Sequence, residues 1–357
     1  MSVLAPTEEA AQAADREDPL SAMRERFHIP RAGDGGEAVY LAGHSLGVQP
    51  RTTRDAVLAQ LDAWASLGVE GHFRGGSAWI EADGRMREQT ARIIGARSTE
   101  VVTMNTLTVD LHLLLASFYR PTGRRSLVIM DAPTFPSDRY AVESQIRHHG
   151  LDPAVHLRPV GPRSGEALVR ASDLEAAIHE AGDRLALTLL AGVNYATGQL
   201  LDIPRLTAAA QAVGAVAGWD LAHAAGNVPL ELHDAGVDFA AWCTYKYLDG
   251  GPGSIAQAFI HERHASDPTT PRLAGWWGNE PGTRFRMSDT FVPAPGADGW
   301  RISNPPILSL APVAVALAIF DEVGMPALRA RSVRLTGYFA ACLASLGPRA
   351  TMVTPAD

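Results

Sequence analysis

Residues 237–253 read VDFAAWCTYKYLDGGPG, and this stretch decides the fold. Its first half is an almost unbroken apolar run, which is typical of a strand buried on both faces of a sheet. A glycine-rich turn comes after the run, so Lys246 should lie at the carboxyl end of that strand. Proteins in which helices cover a parallel sheet bind their ligands at this edge.

Lys246 is the only lysine among the 31 basic residues of the chain, and the other 30 are arginines. A guanidinium cannot lose a proton near neutral pH, whereas a primary amine can, and the neutral amine attacks aldehydes. A single lysine left in an arginine-rich chain is often just a solvated charge. Its position at a strand end argues against that, and we predict that Lys246 is catalytic.

Length and composition restrict the class of protein. The chain has 357 residues, 46% of them hydrophobic, which predicts one large domain and a smaller one. A net charge of −8 disfavours nucleic acid and anionic membranes as partners. Two cysteines, no signal-like N-terminus and no long apolar stretch favour a cytoplasmic protein. The motif HERH at 261–264 lacks the spacing of a zinc helix, so no metal is predicted.

Short apolar runs alternate with helical patterns through the middle of the chain. The predicted strands are 101–104, 127–130, 185–190, 215–219, 239–243 and 254–260. The predicted helices are 52–67, 81–95, 108–119, 137–148, 172–181 and 204–213. This alternation predicts an α/β fold with a mainly parallel central sheet and helices on both faces.

The two ends of the chain are less regular. A short strand at 38–41 precedes a tight loop at 42–50, and 270–306 is a long loop rich in Gly, Pro and Trp. A helix from about 310 to 346 should break near Gly324, and 351–353 has the pattern of a new strand. The predicted division is an N-terminal segment of a small domain at 1–60, a large domain at 61–306, and at 307–357 a long helix with the start of a small domain that is incomplete at its C-terminus.

Two motifs at strand ends suit an anion and a flat ring. In Asn105-Thr106-Leu107-Thr108, hydroxyls and free N–H groups at a helix N-terminus suit a phosphate, although simple helix capping explains the motif equally well. In Phe135-Pro136-Ser137-Asp138 the aromatic side chain could cover a ring, although taken alone the motif is more simply a helix cap.

The motif GWDLAH at 218–223 ends another predicted strand, 26 residues before Lys246. A carboxylate among apolar neighbours needs a partner. Asp220 could hold a protonated pyridine nitrogen, which keeps the ring an electron sink, and His223 could pack on the ring or bind Asp220. The alternative is a helix-capping aspartate, which the pairing with Lys246 at this spacing disfavours.

The motif GHSLG at 43–47 fits the nucleophile elbow of serine hydrolases, with Ser45 as the nucleophile. Such an elbow normally comes after several strands and leads directly into a helix. Here one short predicted strand precedes it, and Pro50 interrupts the segment on its C-terminal side, so a hydrolase function of this kind is the weaker hypothesis.

Together these motifs resemble the kynureninase family, pyridoxal 5′-phosphate enzymes of the fold-type I (aspartate aminotransferase) class. The resemblance runs from about residue 40 to 335 and includes GVNY at 192–195, YKYL at 245–248, GWWG at 275–278 and RISNPP at 301–306. It implies a homodimer with shared active sites, acting on a small amino-acid substrate in tryptophan catabolism. The implied reaction is hydrolysis of the Cβ–Cγ bond of L-kynurenine or 3-hydroxykynurenine to alanine and an anthranilate.

The resemblance also implies roles for individual residues. Lys246 would form an imine with the cofactor and move the Cα proton, Asp220 would pair with the pyridine nitrogen, and Tyr245 would be the acid and base at the γ-carbonyl. The cofactor would be bound by Leu107, Thr108, Phe135, Pro136, Ser137, Asp138, Asp220, His223, Tyr245, Lys246, Trp276 and Asn304, with Trp276 and Asn304 reaching over from the neighbouring subunit. The aryl ketone would be bound by Ser45, His72 and Asn304.

Two departures from the family pattern are visible. Ala191 stands where the family commonly has Ser or Thr, and the arginine that binds the substrate carboxylate in the family lies in a C-terminal segment that this chain does not contain. We therefore expect the chain to bind the cofactor but to cleave L-kynurenine poorly, unless an arginine already present, such as Arg301 or Arg284, holds the carboxylate instead. The alternatives within the fold are a cysteine desulfurase, for which Cys243 and Cys342 look unsuitable, and a cofactor-binding relative without activity.

Overall fold

The computed structural model describes residues 5–76 and 78–355. Near the N-terminus lies a short antiparallel pair, β1 (Phe27–His28) and β2 (Gln49–Pro50). The centre of the fold is a seven-stranded sheet. Its strands are β3 (Val101–Met104), β4 (Leu127–Asp131), β5 (Leu157–Val160), β6 (Leu185–Ala191), β7 (Val216–Asp220), β8 (Phe239–Trp242) and β9 (Ala256–Ile260).

The strand order is β3-β9-β8-β7-β6-β4-β5. Strand β9 runs antiparallel to both of its neighbours, and the remaining pairs are parallel. All residues of β3, β8 and β9 are buried, which explains why these strands read as continuous apolar runs. The carboxyl ends of β4, β6, β7 and β8 therefore meet at one edge of the sheet.

Helices cover both faces of this sheet. They are α1 (Glu8–Glu17), α2 (Thr53–Leu67), α3 (Gly84–Ile94), α4 (Leu107–Phe118), α5 (Pro136–His148), α6 (Pro153–His156), α7 (Ala171–Ala181), α8 (Ile203–Ala212), α9 (Glu262–Ala265), α10 (Ile307–Val323) and α11 (Met325–Ser345). Two apolar cores result. Trp219 and Leu317 lie in one core, and Leu114 and Phe239 lie in the other. Each core fixes the strands whose ends form the site.

The strand and helix predictions for 52–67, 81–95 and 101–260 are confirmed to within a few residues, as is the break of the last long helix at Gly324. The predicted strand at 38–41 is wrong, because this segment has no partner strand; Val39 is 88% exposed. The strand predicted at 351–353 is also wrong, and those residues are irregular and exposed. Strand β5 was not predicted because its sequence, LRPV, contains a proline, which the sheet tolerates at its edge.

Within the described residues, no single helix is both long enough and apolar enough to cross a membrane. Length and composition admit one pair, α10 with α11, whose axes bend by 85° at the break between them.

Candidate active site

A cavity of about 130 Å³ opens where the carboxyl ends of the central strands meet. It is lined by Thr106, Leu107, Thr108, Phe135, Ser137, Asp138, Ala191, Val193, Tyr195, Asp220, Ala222, His223, Tyr245 and Lys246. Of the residues predicted to bind the cofactor, Pro136, Trp276 and Asn304 are not among them. The topology thus brings together side chains at or just after the ends of five separate strands, β3, β4, β6, β7 and β8.

Lys246 lies four residues beyond the end of β8 and is 8% exposed. Its Nζ is 3.0 Å from Nε2 of His223 and 5.6 Å from the centre of the Phe135 ring. Burial, followed by the charge of Lys246, lowers the pKa of His223 to about 4. The imidazole is therefore neutral at physiological pH, and its Nε2 accepts a hydrogen bond from the amine.

Two carboxyl groups face each other beside this amine. Asp220 ends β7, is 7% exposed, and one of its oxygens accepts the backbone N–H of Ala222 at 2.7 Å. Asp138, in the first turn of α5, is buried as well. Burial and then the charge of Asp220 raise the pKa of Asp138 well above its usual range. Burial beside a second acid therefore favours the protonated form of Asp138 over its charged form.

A pair of hydroxyls lies between the N-termini of α4 and α5. The Oγ1 of Thr108 and the Oγ of Ser137 are 2.8 Å apart. Simple capping, the alternative for both motifs, is not what the structure shows, because neither Thr106 nor Phe135, at the N-cap positions, makes a side-chain cap bond. Two helix N-termini with free hydroxyls form an anion site of the kind that binds a phosphate.

An aromatic wall and a phenol complete the cavity. The ring of Phe135 is 44% exposed and meets the ring of Tyr195 edge to face at 5.3 Å. Burial, and then the neighbouring Cys243, raise the pKa of Tyr245 to about 12, so its phenol stays protonated. The sequence motif at 192–195 contained Tyr195, but no role was predicted for it; its place after a strand was the available signal.

This set of side chains fits pyridoxal 5′-phosphate. The cofactor needs one amine for its aldehyde, an anion site for its phosphate, a carboxylate for its ring nitrogen and an apolar face for its ring. The cavity supplies Lys246, the pair Thr108 and Ser137, Asp220 and Phe135 in these places. A larger cavity of about 1150 Å³ lies elsewhere, bordered by Val169, Leu230 and Met352, and has no amine.

The remaining predicted residues lie outside the cavity of their own chain. Ser45 and Asn304 are exposed on loops. His72 and Trp276 belong to an aromatic surface cluster, formed by His72, Phe73, Trp79, Trp276 and Phe285. Trp276 is 49% exposed. Within one chain, these four predicted residues therefore do not contact the groups that surround Lys246.

Neither arginine suggested for the substrate carboxylate is open to bind it. Arg301 is 5% exposed and pairs with Asp83 and Asp298. Arg284 is also buried, donates to the carbonyl of Trp277 at 2.7 Å and stacks on that indole. Both guanidinium groups hold the long loop after β9 in place, so neither is available to a substrate carboxylate in this conformation.

The rival elbow at Ser45 lacks the required local structure. Residues 43–46 form a turn, and neither a strand before them nor a helix directly after them is present in the described chain. A nucleophile elbow depends on a sharp strand-to-helix connection, so Ser45 is not placed as a hydrolase nucleophile.

Comparisons with known proteins agree with this geometry. The family Aminotransferase class-V matches residues 39–356. The chain is 54% identical to a kynureninase of Salinispora tropica over 98% of this chain and 82% of the relative, and 52% identical to one of Koribacter versatilis over 93% and 78%. It is similar in fold to the apo cysteine desulfurase of Thermococcus onnurineus, with a TM-score of 0.69 and 19% identity over 94% of this chain and 76% of that one.

The parallel sheet, the buried lysine at its carboxyl edge and the family match define a pyridoxal-phosphate-dependent protein of the class-V aminotransferase family. Within that class, the chain belongs to the kynureninase family.

Proposed function

We propose that this chain catalyses the hydrolytic cleavage of the Cβ–Cγ bond of L-kynurenine, or of its 3-hydroxy form, to alanine and an anthranilate. The observation that carries the proposal is a single buried amine, 3.0 Å from a neutral imidazole, in a chain 54% identical to a kynureninase. When bound, pyridoxal phosphate supplies an electron sink for the carbanion that forms next to the amino group.

Different residues of the cavity bind the different parts of the cofactor. Thr108 and Ser137, between two helix N-termini, bind the phosphate. Asp220 would hold a positive charge on the ring nitrogen, and the raised pKa of Asp138 beside it reduces the repulsion between the two acids. Phe135 covers one face of the ring and excludes water from it.

Proton transfer is assigned to two groups at the end of β8. The Nζ of Lys246 takes the proton from Cα, and His223, which accepts a hydrogen bond from that nitrogen, orients it. Tyr245 keeps its proton up to about pH 12, so it can donate to the γ-carbonyl oxygen or the leaving carbon. A water then supplies the oxygen of the anthranilate carboxyl group.

A cysteine desulfurase function is less well supported. The similar fold of those enzymes does not by itself define a reaction. Burial raises the pKa of Cys243 to about 11, so its thiol stays protonated at neutral pH. Cys342 lies on α11, remote in sequence from any mobile loop at the cavity.

The test is direct. Purified protein loaded with pyridoxal phosphate is incubated with L-kynurenine, and the products are identified by mass spectrometry. We expect alanine and anthranilate in equal amounts. Conversion of cysteine to alanine, with sulfide released only when a thiol reductant is added and with no cleavage of kynurenine or 3-hydroxykynurenine, would instead favour a desulfurase.

We further propose a cytoplasmic homodimer with shared active sites. The exposed aromatic cluster of His72, Phe73, Trp79, Trp276 and Phe285 supports this, because exposed aromatic residues are typical of interfaces. Trp276 and Asn304 would then reach the cavity of the second subunit.

Mixed dimers test this arrangement. Lys246→Ala and Trp276→Ala chains are each expected to be impaired. Random mixing should restore about a quarter of wild-type activity, because half the dimers are mixed and each has one complete site. If each site is built from one chain alone, mixing will restore nothing.

A further inference from the structure

The sequence motif GVNY contains a second residue without a predicted role, Asn194, which is 3% exposed. Its Nδ2 donates two hydrogen bonds, to Oδ2 of Asp131 at 3.1 Å and to the carbonyl of Pro133 at 3.0 Å. Its Oδ1 accepts the backbone N–H of Ala196 at 3.0 Å and that of Thr197 at 3.3 Å. The side-chain amide of Asn194 thus uses both of its N–H groups and its oxygen inside the protein.

These bonds join the ends of two neighbouring parallel strands. The register pairs of β4 with β6 end at Ile129 and Thr188. Beyond this pair, Oδ1 of Asp131 accepts the N–H of Ala191 at 2.9 Å, and Oδ2 accepts from Asn194. The carboxyl group of Asp131 and the amide of Asn194 therefore continue the link between the two strands past the end of their backbone pairing.

The two segments that Asn194 joins carry the aromatic wall of the cavity. Phe135 lies two residues after Pro133, and Tyr195 directly follows Asn194. The two rings meet edge to face at 5.3 Å, and each side chain is 40% or more exposed. Because so much of each ring is open, its position depends largely on the backbone that carries it, and the bonds of Asn194 fix both backbones.

We propose that Asn194 is a positioning residue, which ties the segment of Phe135 to the segment of Tyr195 and so holds the aromatic wall against the cofactor ring. The proposal rests on the proposed place of Phe135 on that ring, but not on the cleavage of kynurenine. It concerns the binding of pyridoxal phosphate, which is measured without any substrate.

The simplest alternative is that Asn194 only shapes its own turn, since an asparagine oxygen that accepts N–H groups two and three residues ahead is typical of turns. Asn194→Asp separates the two explanations, because a carboxylate keeps the acceptor for Ala196 and Thr197 but removes both donors. Asp131→Asn weakens the link from its other end without an added charge, since it leaves one oxygen for the N–H donors of Ala191 and Asn194.

Two further variants provide a rescue and a control. Asp131→Asn combined with Asn194→Asp exchanges the partners, so that an amide again donates to a carboxylate across the link. Gln211→Ala is the matched control, because the Nε2 of Gln211 also donates to a carbonyl, that of Gly236 at 2.7 Å, and to a carboxylate, that of Asp238 at 3.2 Å. These contacts of Gln211 lie at the opposite edge of the sheet, before β8 begins.

The experiment measures the Kd of pyridoxal phosphate for the full chain and the visible circular dichroism of the loaded protein. We expect the Kd to rise about 10-fold in Asn194→Asp and in Asp131→Asn, the factor that corresponds to one buried hydrogen bond. The circular dichroism per bound cofactor should fall in both variants, because the ring is held less firmly. The exchanged pair should bind more tightly than either single variant, and Gln211→Ala should equal wild type.

A double-mutant cycle with Phe135→Leu shows whether Asn194 acts through the aromatic wall. Phe135→Leu removes the aromatic face and should also raise the Kd about 10-fold. Because both changes disturb one contact, we expect Asn194→Asp combined with Phe135→Leu to raise the Kd about 10-fold in total and not about 100-fold. If Asn194→Asp does not fold, the same cycle is made with Asp131→Asn.

Effects that multiply in this cycle would overturn the proposal, since Asn194 would then act independently of Phe135. Wild-type affinity in Asn194→Asp or in Phe135→Leu would overturn it as well. If the expected shifts in Kd are found but kynurenine is not cleaved, the proposed reaction fails and the positioning role of Asn194 stands.

Discussion

Buried acidic side chains lie at both the amino edge and the carboxyl edge of the central sheet, but their surroundings differ. At the amino edge, the oxygens of Glu100 accept the N–H groups of Arg97 and Glu262, and His233 lies 2.9 Å away. Glu100, His233 and His261 are close enough to hold a metal ion, yet these hydrogen bonds already occupy the carboxylate. The Glu100 carboxylate at this edge has partners for both oxygens, so it stabilises the fold.

At the carboxyl edge the acids meet each other. Asp138 and Asp220 face the same cavity, and burial together with the charge of Asp220 raises the pKa of Asp138 well above its usual range. Such an arrangement costs stability in a protein without a ligand. The difference teaches that buried acids with hydrogen-bond partners lie at the amino edge of this sheet, where they stabilise the fold. Buried acids that repel each other lie at the carboxyl edge, where the ligand binds.

Removal of the Lys246 amine should abolish both catalysis and the covalent attachment of the cofactor. Lys246→Ala leaves a chain with no lysine at all, so we expect no visible absorption band from bound cofactor and turnover at background. Lys246→Arg is the control, because it keeps the positive charge without a nucleophile. In the wild type, borohydride reduction and peptide mapping should place the label at 245–247; a label elsewhere would refute the assignment.

Loss of the Asp220 side chain should have the next largest effect. We expect Asp220→Ala to reduce kcat/KM by about 100-fold or more, roughly 3 kcal/mol, because the ring nitrogen loses the charge that keeps it protonated. Steady-state kinetics with L-kynurenine measures this. Asp183→Ala removes a carboxylate that is 67% exposed and should leave kcat/KM unchanged. Equal kinetics for the two variants would show that Asp220 has no such role.

Substitution of Tyr245 tests whether its hydroxyl group transfers a proton during the reaction. Tyr245→Phe keeps the ring and removes the hydroxyl, so the cofactor spectrum should be retained while kcat falls by about 100-fold. Burial holds the pKa of Tyr245 near 12, so the acidic group is present throughout the neutral range. Unchanged turnover would mean that the hydroxyl is structural.

Much of this architecture could be predicted from the sequence because the decisive signals are local. An apolar run with glycines directly after it places Lys246 near the end of a strand. The other parallel strands end at the same edge of the sheet, so the residues that follow them, such as Thr108 and Ser137, lie there too. The sequence pattern predicted a strand wrongly where strand formation depends on a partner strand from a distant part of the chain. Residues 38–41, AVYL, have the apolar and aromatic composition of a strand, yet no strand of the described chain pairs with them.

The finer features of the site depend on contacts between segments far apart in the chain. The hydrogen bond from the N–H of Gly47 to the carbonyl of Tyr245 joins residues about 200 positions apart, and neither segment contains a signal for it. The burial of Arg301 and Arg284 by the long loop was equally invisible, since an arginine that pairs inside a loop and one that binds a substrate have the same sequence.

At the amino edge, removal of a compensated charge should affect stability and leave catalysis intact. Although burial alone would raise it, hydrogen bonds from His264, the Ala217 N–H and Arg263 lower the pKa of Asp238 to about 2. A depressed pKa stabilises the folded state above the unfolded value of 3.8, and this contribution is lost as the pH falls toward 2. We expect Asp238→Asn to lower the free energy of unfolding at pH 7 by about 2 kcal/mol, with kcat of the folded protein unchanged.

Urea unfolding of wild type and Asp238→Asn, monitored at pH 7 and again at pH 3, measures this contribution. The difference between the two midpoints should be largest at pH 7 and smaller at pH 3, because part of the stabilisation is lost once the pH is below 3.8. Asp183→Ala again serves as the surface control. If Asp238→Asn lowers kcat while leaving the midpoint unchanged, the amino edge takes part in catalysis and the division between the two edges does not hold.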